Sequence, residues 1–118
     1  MGAARKEVAR EESSTHVTKY VISKDAEADL DGIWEYIASD STEAADRWAS
    51  QLRSAIELIA RNPGLGHTRK DLTAYPVLFW PVGSYLVIYR LQNDLVEIVA
   101  VTQGARDIPS FLRRRAEN

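Results

Sequence analysis

The spacing of apolar side chains along this chain changes from helical to strand-like about two-thirds of the way through. Tyr20-Val21-Ile22 is a short β-type run closed by Ser23, a good helix N-cap. Ala26, Leu30, Ile33, Trp34 and Ile37 then recur at helical spacing, with Asp25, Glu27, Asp29, Asp31 and Glu35 on the remaining surface. Carboxylates crowded into the first turns suit the positive end of the helix dipole. Ser39-Asp40-Ser41-Thr42 interrupts the pattern, and Thr42 reads as the next N-cap. Ala45, Trp48, Leu52, Ala55, Ile56 and Ile59 form a second stripe, which Asn62-Pro63-Gly64 terminates. Two amphipathic helices on a short link predict a helical hairpin.

After a polar loop over residues 65–73 the period becomes that of strands. Tyr75 to Trp80, Tyr85 to Leu91 and Leu95 to Thr102 are aromatic and β-branched runs. Gly83-Ser84 and Gln92-Asn93-Asp94 separate them at spacings that suit antiparallel hairpins. Asp107-Ile108-Pro109 starts a short helix that carries Phe111-Leu112 and the basic run Arg113-Arg114-Arg115. The order predicts an α+β domain: an N-terminal strand and a two-helix hairpin packed on a mostly antiparallel curled sheet, with a short C-terminal helix. Residues 1–18 are too poor in apolar groups to offset the entropy of ordering and read as a polar tail, 19–113 as the domain and 114–118 as a basic end. In Tyr85-Leu86-Val87-Ile88-Tyr89 both parities are apolar, so both faces of that strand need cover. The helical hairpin covers one face. The C-terminal helix or a partner chain covers the other, and the pattern leaves both open.

Composition narrows the chemistry. A chain of 118 residues suits one domain. The absence of cysteine excludes a disulfide scaffold, a thiol nucleophile, an iron–sulfur cluster and a cysteine-ligated zinc site. The longest apolar run, Pro76 to Val82, falls far short of the roughly 20 residues that span a bilayer, and the N-terminus has no hydrophobic signal segment. A soluble cytoplasmic protein without membrane contact is expected. The net charge of −2 argues against direct nucleic-acid binding through bulk electrostatics. That charge is polarised: residues 20–62 carry four Lys/Arg against nine Asp/Glu, and residues 63–118 carry seven against five. The two histidines, His16 and His67, lie far apart, so no metal site is predicted. Gly64-Leu65-Gly66 lacks the following helix and lysine of a phosphate loop, and no cofactor is expected.

The segments KDAEADLDGIWEYIA, ADRW, NPGLGHTRKDL, FWPVGSYLVIYR and VEIVAVTQGARDIP occur in an order that resembles the ParE branch of the ParE/RelE toxin superfamily, from about Tyr20 to Leu112. The resemblance implies a small toxin of a type II toxin–antitoxin pair, held inactive by a cognate antitoxin that is ParD-like or similar. ParE-like members are implicated in poisoning DNA gyrase, whereas RelE-like members cut messenger RNA on the ribosome. One fold serves both, so the site must decide.

Metal-independent RNA cleavage needs a base, cations around the phosphate and an acid for the leaving oxygen. In RelE-like enzymes the resemblance would place lysines along the strand before the central hairpin, an arginine at the start of the next strand, and a second arginine and a tyrosine near the C-terminus. Here Tyr75 to Trp80 holds neither Lys nor Arg, and Tyr85 stands at the first arginine position. Arg106 matches the second, while Phe111 and Leu112 occupy the tyrosine position. No catalytic residue is therefore expected. The reading is a non-enzymatic gyrase inhibitor, with a ribosome-dependent endoribonuclease and a non-toxic antitoxin-binding module as alternatives. The expected target contacts are Arg69, Lys70, Trp80, Arg90, Arg106, Arg113 and Arg114, together with the second sheet face. Antitoxin contacts are expected at Trp34, Ile37, Trp48, Tyr85, Val87 and Tyr89. Arg90 also has a purely structural alternative, a pair with Asp94 or Glu97.

Overall fold

The computed structural model describes residues 19–117, and for Glu117 the backbone alone. The segment read as a tail, residues 1–18, lies outside the described residues. The elements run β1 (Lys19–Ile22), α1 (Lys24–Ala38), α2 (Thr42–Arg61), β2 (Leu78–Val82), β3 (Tyr85–Gln92), β4 (Leu95–Gln103) and α3 (Ile108–Glu117). They form the α+β arrangement that the sequence predicts. The sheet order is β1-β4-β3-β2: β4 pairs antiparallel with β3 and β3 with β2, while β1 lies parallel to β4.

Local chemistry sets most boundaries. Ser23 caps α1, its Oγ accepting from Ala26 N at 3.1 Å. At α2 the cap is Ser41, which accepts from Ala44 N at 3.1 Å, and Thr42 is the first helical residue. The expected cap was thus one residue late, because Ser41 holds the extended backbone that a cap needs (φ −159°). Gly83 (φ +61°) leads the β2–β3 turn, and Asn93 and Asp94 (φ +53° and +61°) make the β3–β4 turn, a left-handed pair that matches strand twist. Asp107 caps α3 through Ser110 N and Oγ at 3.2 and 2.9 Å, and these bonds hold its carboxyl below the usual aspartate range. The strand expected from Tyr75 begins only at Leu78. Residues 75–77 instead make a tight turn, Val77 N bonding Tyr75 O at 2.8 Å.

The sheet separates two apolar layers. On one face Tyr20, Tyr85, Val87, Tyr89, Val96, Ile98 and Val101 pack against Ala26, Leu30, Trp48, Leu52, Ile56 and Ile59 of the hairpin. On the other, Val77, Phe79, Ile88 and Ala100 pack against Ile108, Phe111 and Leu112 of α3. Of the two covers left open for the second face, it is the chain's own C-terminal helix that lies there. Helix α3 runs on through Glu117, so the division drawn at residue 113 falls inside it.

The 62–66 loop is fixed by Tyr89. Its Oη accepts from Gly66 N and donates to Pro63 O, both at 2.8 Å. Burial pushes the phenol above the ordinary tyrosine range, and the Gly66 N–H offsets part of that rise. A Cβ at Gly66 would lie 2.7 Å from Tyr89 Oη, so the glycine is required by close approach. Tyr89→Phe should lose about 1–3 kcal/mol in urea unfolding, since two partly buried backbone groups lose their partner. An unchanged midpoint would show that water replaces both bonds.

Candidate functional site

The expected antitoxin contacts divide sharply by burial. Trp48, Tyr85, Val87 and Tyr89 lie within the core between hairpin and sheet, and Trp48 packs on Tyr85 with ring centroids 5.5 Å apart. They are not surface residues of this fold, and that expectation is corrected. Alternating apolar residues point into both layers, and the pattern does not say which layer the chain itself fills. Trp34 and Ile37 are half-buried at the hairpin margin, with Trp34 Nε1 donating to Asp46 Oδ1 at 3.2 Å. Next to them Tyr36 is 70% exposed, an aromatic that the sequence reading passed over.

The expected target contacts fall into separate neighbourhoods. Arg69 sits in the loop after α2, in a forked pair with Asp71 (2.9 and 2.7 Å) that is open to solvent, and Lys70 beside it is exposed. These two line a cavity of about 530 Å³ with Tyr75, Pro76, Leu78 and Leu91. Trp80 lies on the hairpin face at the margin of that core, half-buried and stacked on His67 (6.1 Å). His67 itself extends the sheet, bonding Phe79 in both directions at 2.9 and 2.8 Å. Arg90 is taken by its cross-strand neighbour Glu97 at 2.6 Å, the structural alternative that the sequence had offered.

Arg106, Arg113 and Arg114 share α3 and the turn before it. The Arg106 guanidinium stacks 4.5 Å over the Phe111 ring and reaches Thr102 Oγ1 at 3.4 Å. Arg113 Nη2 donates to Ser110 Oγ at 3.1 Å, and Arg114 is exposed. The second sheet face expected to join them is buried under α3 and is not available as a surface, a second correction.

A cleft of about 540 Å³ opens between α1 and the end of β4. Asp29, Gly32 and Tyr36 line one wall, and Tyr85, Thr102, Gln103 and Arg106 the other. Among the described residues Arg106 is its one cation. Asp29 and Arg115, neither singled out from sequence, meet nearby: Arg115 Nη2 lies 3.0 and 3.3 Å from the two Asp29 oxygens. A signal existed, because Asp29 follows Ala26 by three and Arg115 follows Phe111 by four, which places both on inward faces.

Burial pushes the Asp29 carboxyl above the usual aspartate range. The Val101 N–H and Arg115 pull it back in part, and the nearby Asp25 charge adds to the rise. A carboxyl raised by folding binds its proton more tightly in the folded than in the unfolded chain. Its contribution to stability is therefore full below the unfolded value of about 3.9 and is lost as pH rises through the folded value. The stability gap between Asp29→Asn and the parent should shift in favour of Asn as pH climbs from about 3 to about 7. Urea unfolding across that range checks it, and a shift toward the parent would contradict the sign.

Comparison with known proteins agrees with this architecture. Residues 20–108 match the family model described as the ParE toxin of the type II toxin–antitoxin system parDE. Over 90 residues the chain is 39% identical to Toxin ParE1 of Caulobacter vibrioides, covering 74% of this chain and 93% of that protein. The solved structure titled "Chromosomal ParDE TA system from P. aeruginosa" superposes with a TM-score of 0.63 at 16% identity, over 75% of this chain and 98% of that one. The fold and site define a small α+β protein in which, among the described residues, one cation, Arg106, lines the cleft beside α1 and two, Arg69 and Lys70, line the loop cavity. The chain belongs to the ParE toxin family of type II toxin–antitoxin systems.

Proposed function

We propose that this ParE-family chain inhibits DNA gyrase by stoichiometric binding and is silenced by a ParD-like antitoxin. The observation that carries the reading is where the cations lie. Strands β2 to β4 hold one, Arg90, and Glu97 takes it. Four arginines instead ride on α3 and the turn before it, Arg106, Arg113, Arg114 and Arg115, and of these Arg115 is held by Asp29. Cleaving RNA by the acid–base route asks for several cations around one phosphate beside a proton donor. Among the described residues lining the cleft the one guanidinium is that of Arg106, so the several cations are missing even though Tyr36 and Tyr85 stand on its walls. A displayed basic helix favours docking on an acidic protein surface.

The antitoxin would cover the outer face of α1, where Ile33, Trp34, Tyr36 and Ile37 leave apolar surface beside the cleft. Supercoiling by purified gyrase tests the function. Inhibition should approach completion near a one-to-one ratio of toxin to gyrase and be reversed by added antitoxin. Unimpaired supercoiling at large excess would overturn it.

A further inference from the structure

Strand β1 pairs with β4 only as far as Ile98, where Ser23 N donates to Ile98 O at 3.0 Å, yet β4 runs on to Gln103. An edge left this way presents backbone donors and acceptors without a strand to meet them. Here side chains meet two of them. Asp29 Oδ2 accepts from Val101 N at 3.0 Å, and Arg115 Nη1 donates to Val99 O at 2.9 Å. A register shift makes the second bond reachable: Ile88 faces Ala100 and Tyr89 faces Ile98, so Val99 has no opposite residue on β3. Asp29 comes from the hairpin on one face and Arg115 from α3 on the other. Their ion pair closes over the rim of the sheet where β1 has ended.

This pair matters most to α3. Ten residues are too few for a helix to hold by itself, so its docking depends on side chains that face inward. Ile108, Phe111 and Leu112 are buried, Arg113, Arg114 and Ala116 are exposed, and past Leu112 the inward anchor is Arg115. Arg115 also lies 4.7 Å over the Phe111 ring. A partly buried ion pair returns little net stability after desolvation, but it specifies one geometry closely. We infer that the Asp29–Arg115 pair is a latch that holds the C-terminal half of α3 on the sheet and thereby positions the arginines that α3 displays. Asp29 is a positioning residue in this scheme. The link to the target rests on the proposed gyrase function; the latch itself does not.

Hydrogen exchange on the full chain tests it. In Asp29→Ala and Arg115→Met, exchange over residues 108–117 should rise about tenfold or more while the 52–59 segment of α2 stays within about twofold, as for local opening. Asp29→Asn keeps an acceptor for Val101, so in that variant the Val101 amide should stay protected while α3 loosens. If a truncating variant does not fold, Arg115→Lys, which keeps the charge but loses the two-armed donation, should give the same pattern at smaller amplitude. Unchanged exchange in α3, or an even rise across the chain, would overturn the latch. Gyrase inhibition by Asp29→Ala should fall about tenfold, the loss of roughly 1.4 kcal/mol of target binding. Loosened α3 with full inhibition would leave the latch standing and remove α3 from the target surface. A parent protein without effect on gyrase would sink the proposed function and leave the exchange result to decide the latch.

Discussion

Phe111→Ala is expected to cost about 3–5 kcal/mol, the usual range for removing a buried aromatic. Phe111 is buried in the second apolar layer, in one cluster with Ile108, Leu112, Phe79, Ile88 and Ala100. Its ring also lies beneath two guanidinium groups, Arg106 at 4.5 Å and Arg115 at 4.7 Å. Alanine therefore opens a cavity and removes the surface on which both cations rest. Domains of this size are stable by only about 5–15 kcal/mol, so the variant should be marginal or should shed α3 altogether. Urea unfolding would report this as a lower midpoint, and Phe111→Leu should recover much of the loss. A penalty below about 1 kcal/mol would mean that the second layer is not a tightly packed core.

The second large effect concerns binding. Arg113→Glu with Arg114→Glu reverses two exposed charges on α3, and surface substitutions of this kind typically move stability by no more than about 0.5 kcal/mol. If α3 is the face presented to an acidic target, like-charge repulsion costs several kcal/mol and should weaken gyrase inhibition by about 100-fold or more. The parent's inhibition should also weaken with added salt, because exposed charges are screened over about 8–10 Å. The antitoxin, proposed to cover α1 on the opposite layer, should bind the double variant as it binds the parent. Full inhibition by the double variant would move the target surface elsewhere on the molecule.

The fold was legible where local chemistry decides. Ser23 and Asp107 are caps whichever way the chain packs, and Gly83 and Asn93-Asp94 can hardly serve as anything but strand turns. Long-range pairing was less accessible. The parallel alignment of β1 with β4 joins residues that no local signal connects, and the late start of β2 depends on the turn at residues 75–77. The site was legible in composition but not in placement. The shortage of cations on β2 to β4 could be counted in the sequence. Whether Tyr85, Val87 and Tyr89 faced a partner could not, because a strand apolar on both faces reads alike under a helix of its own chain or of another. Asp29 and Arg115 were misread for a different reason. Each sits in a run of like charge, acidic in α1 and basic in α3, and the run conceals that one member points inward.

The central claim is that this surface grips a protein and does not cut RNA. One preparation should be titrated in parallel against gyrase supercoiling and against a defined messenger RNA in a translation extract. Loss of supercoiling near equimolar toxin, with the message intact, is the expected result. Cut message beside unaffected gyrase would contradict it.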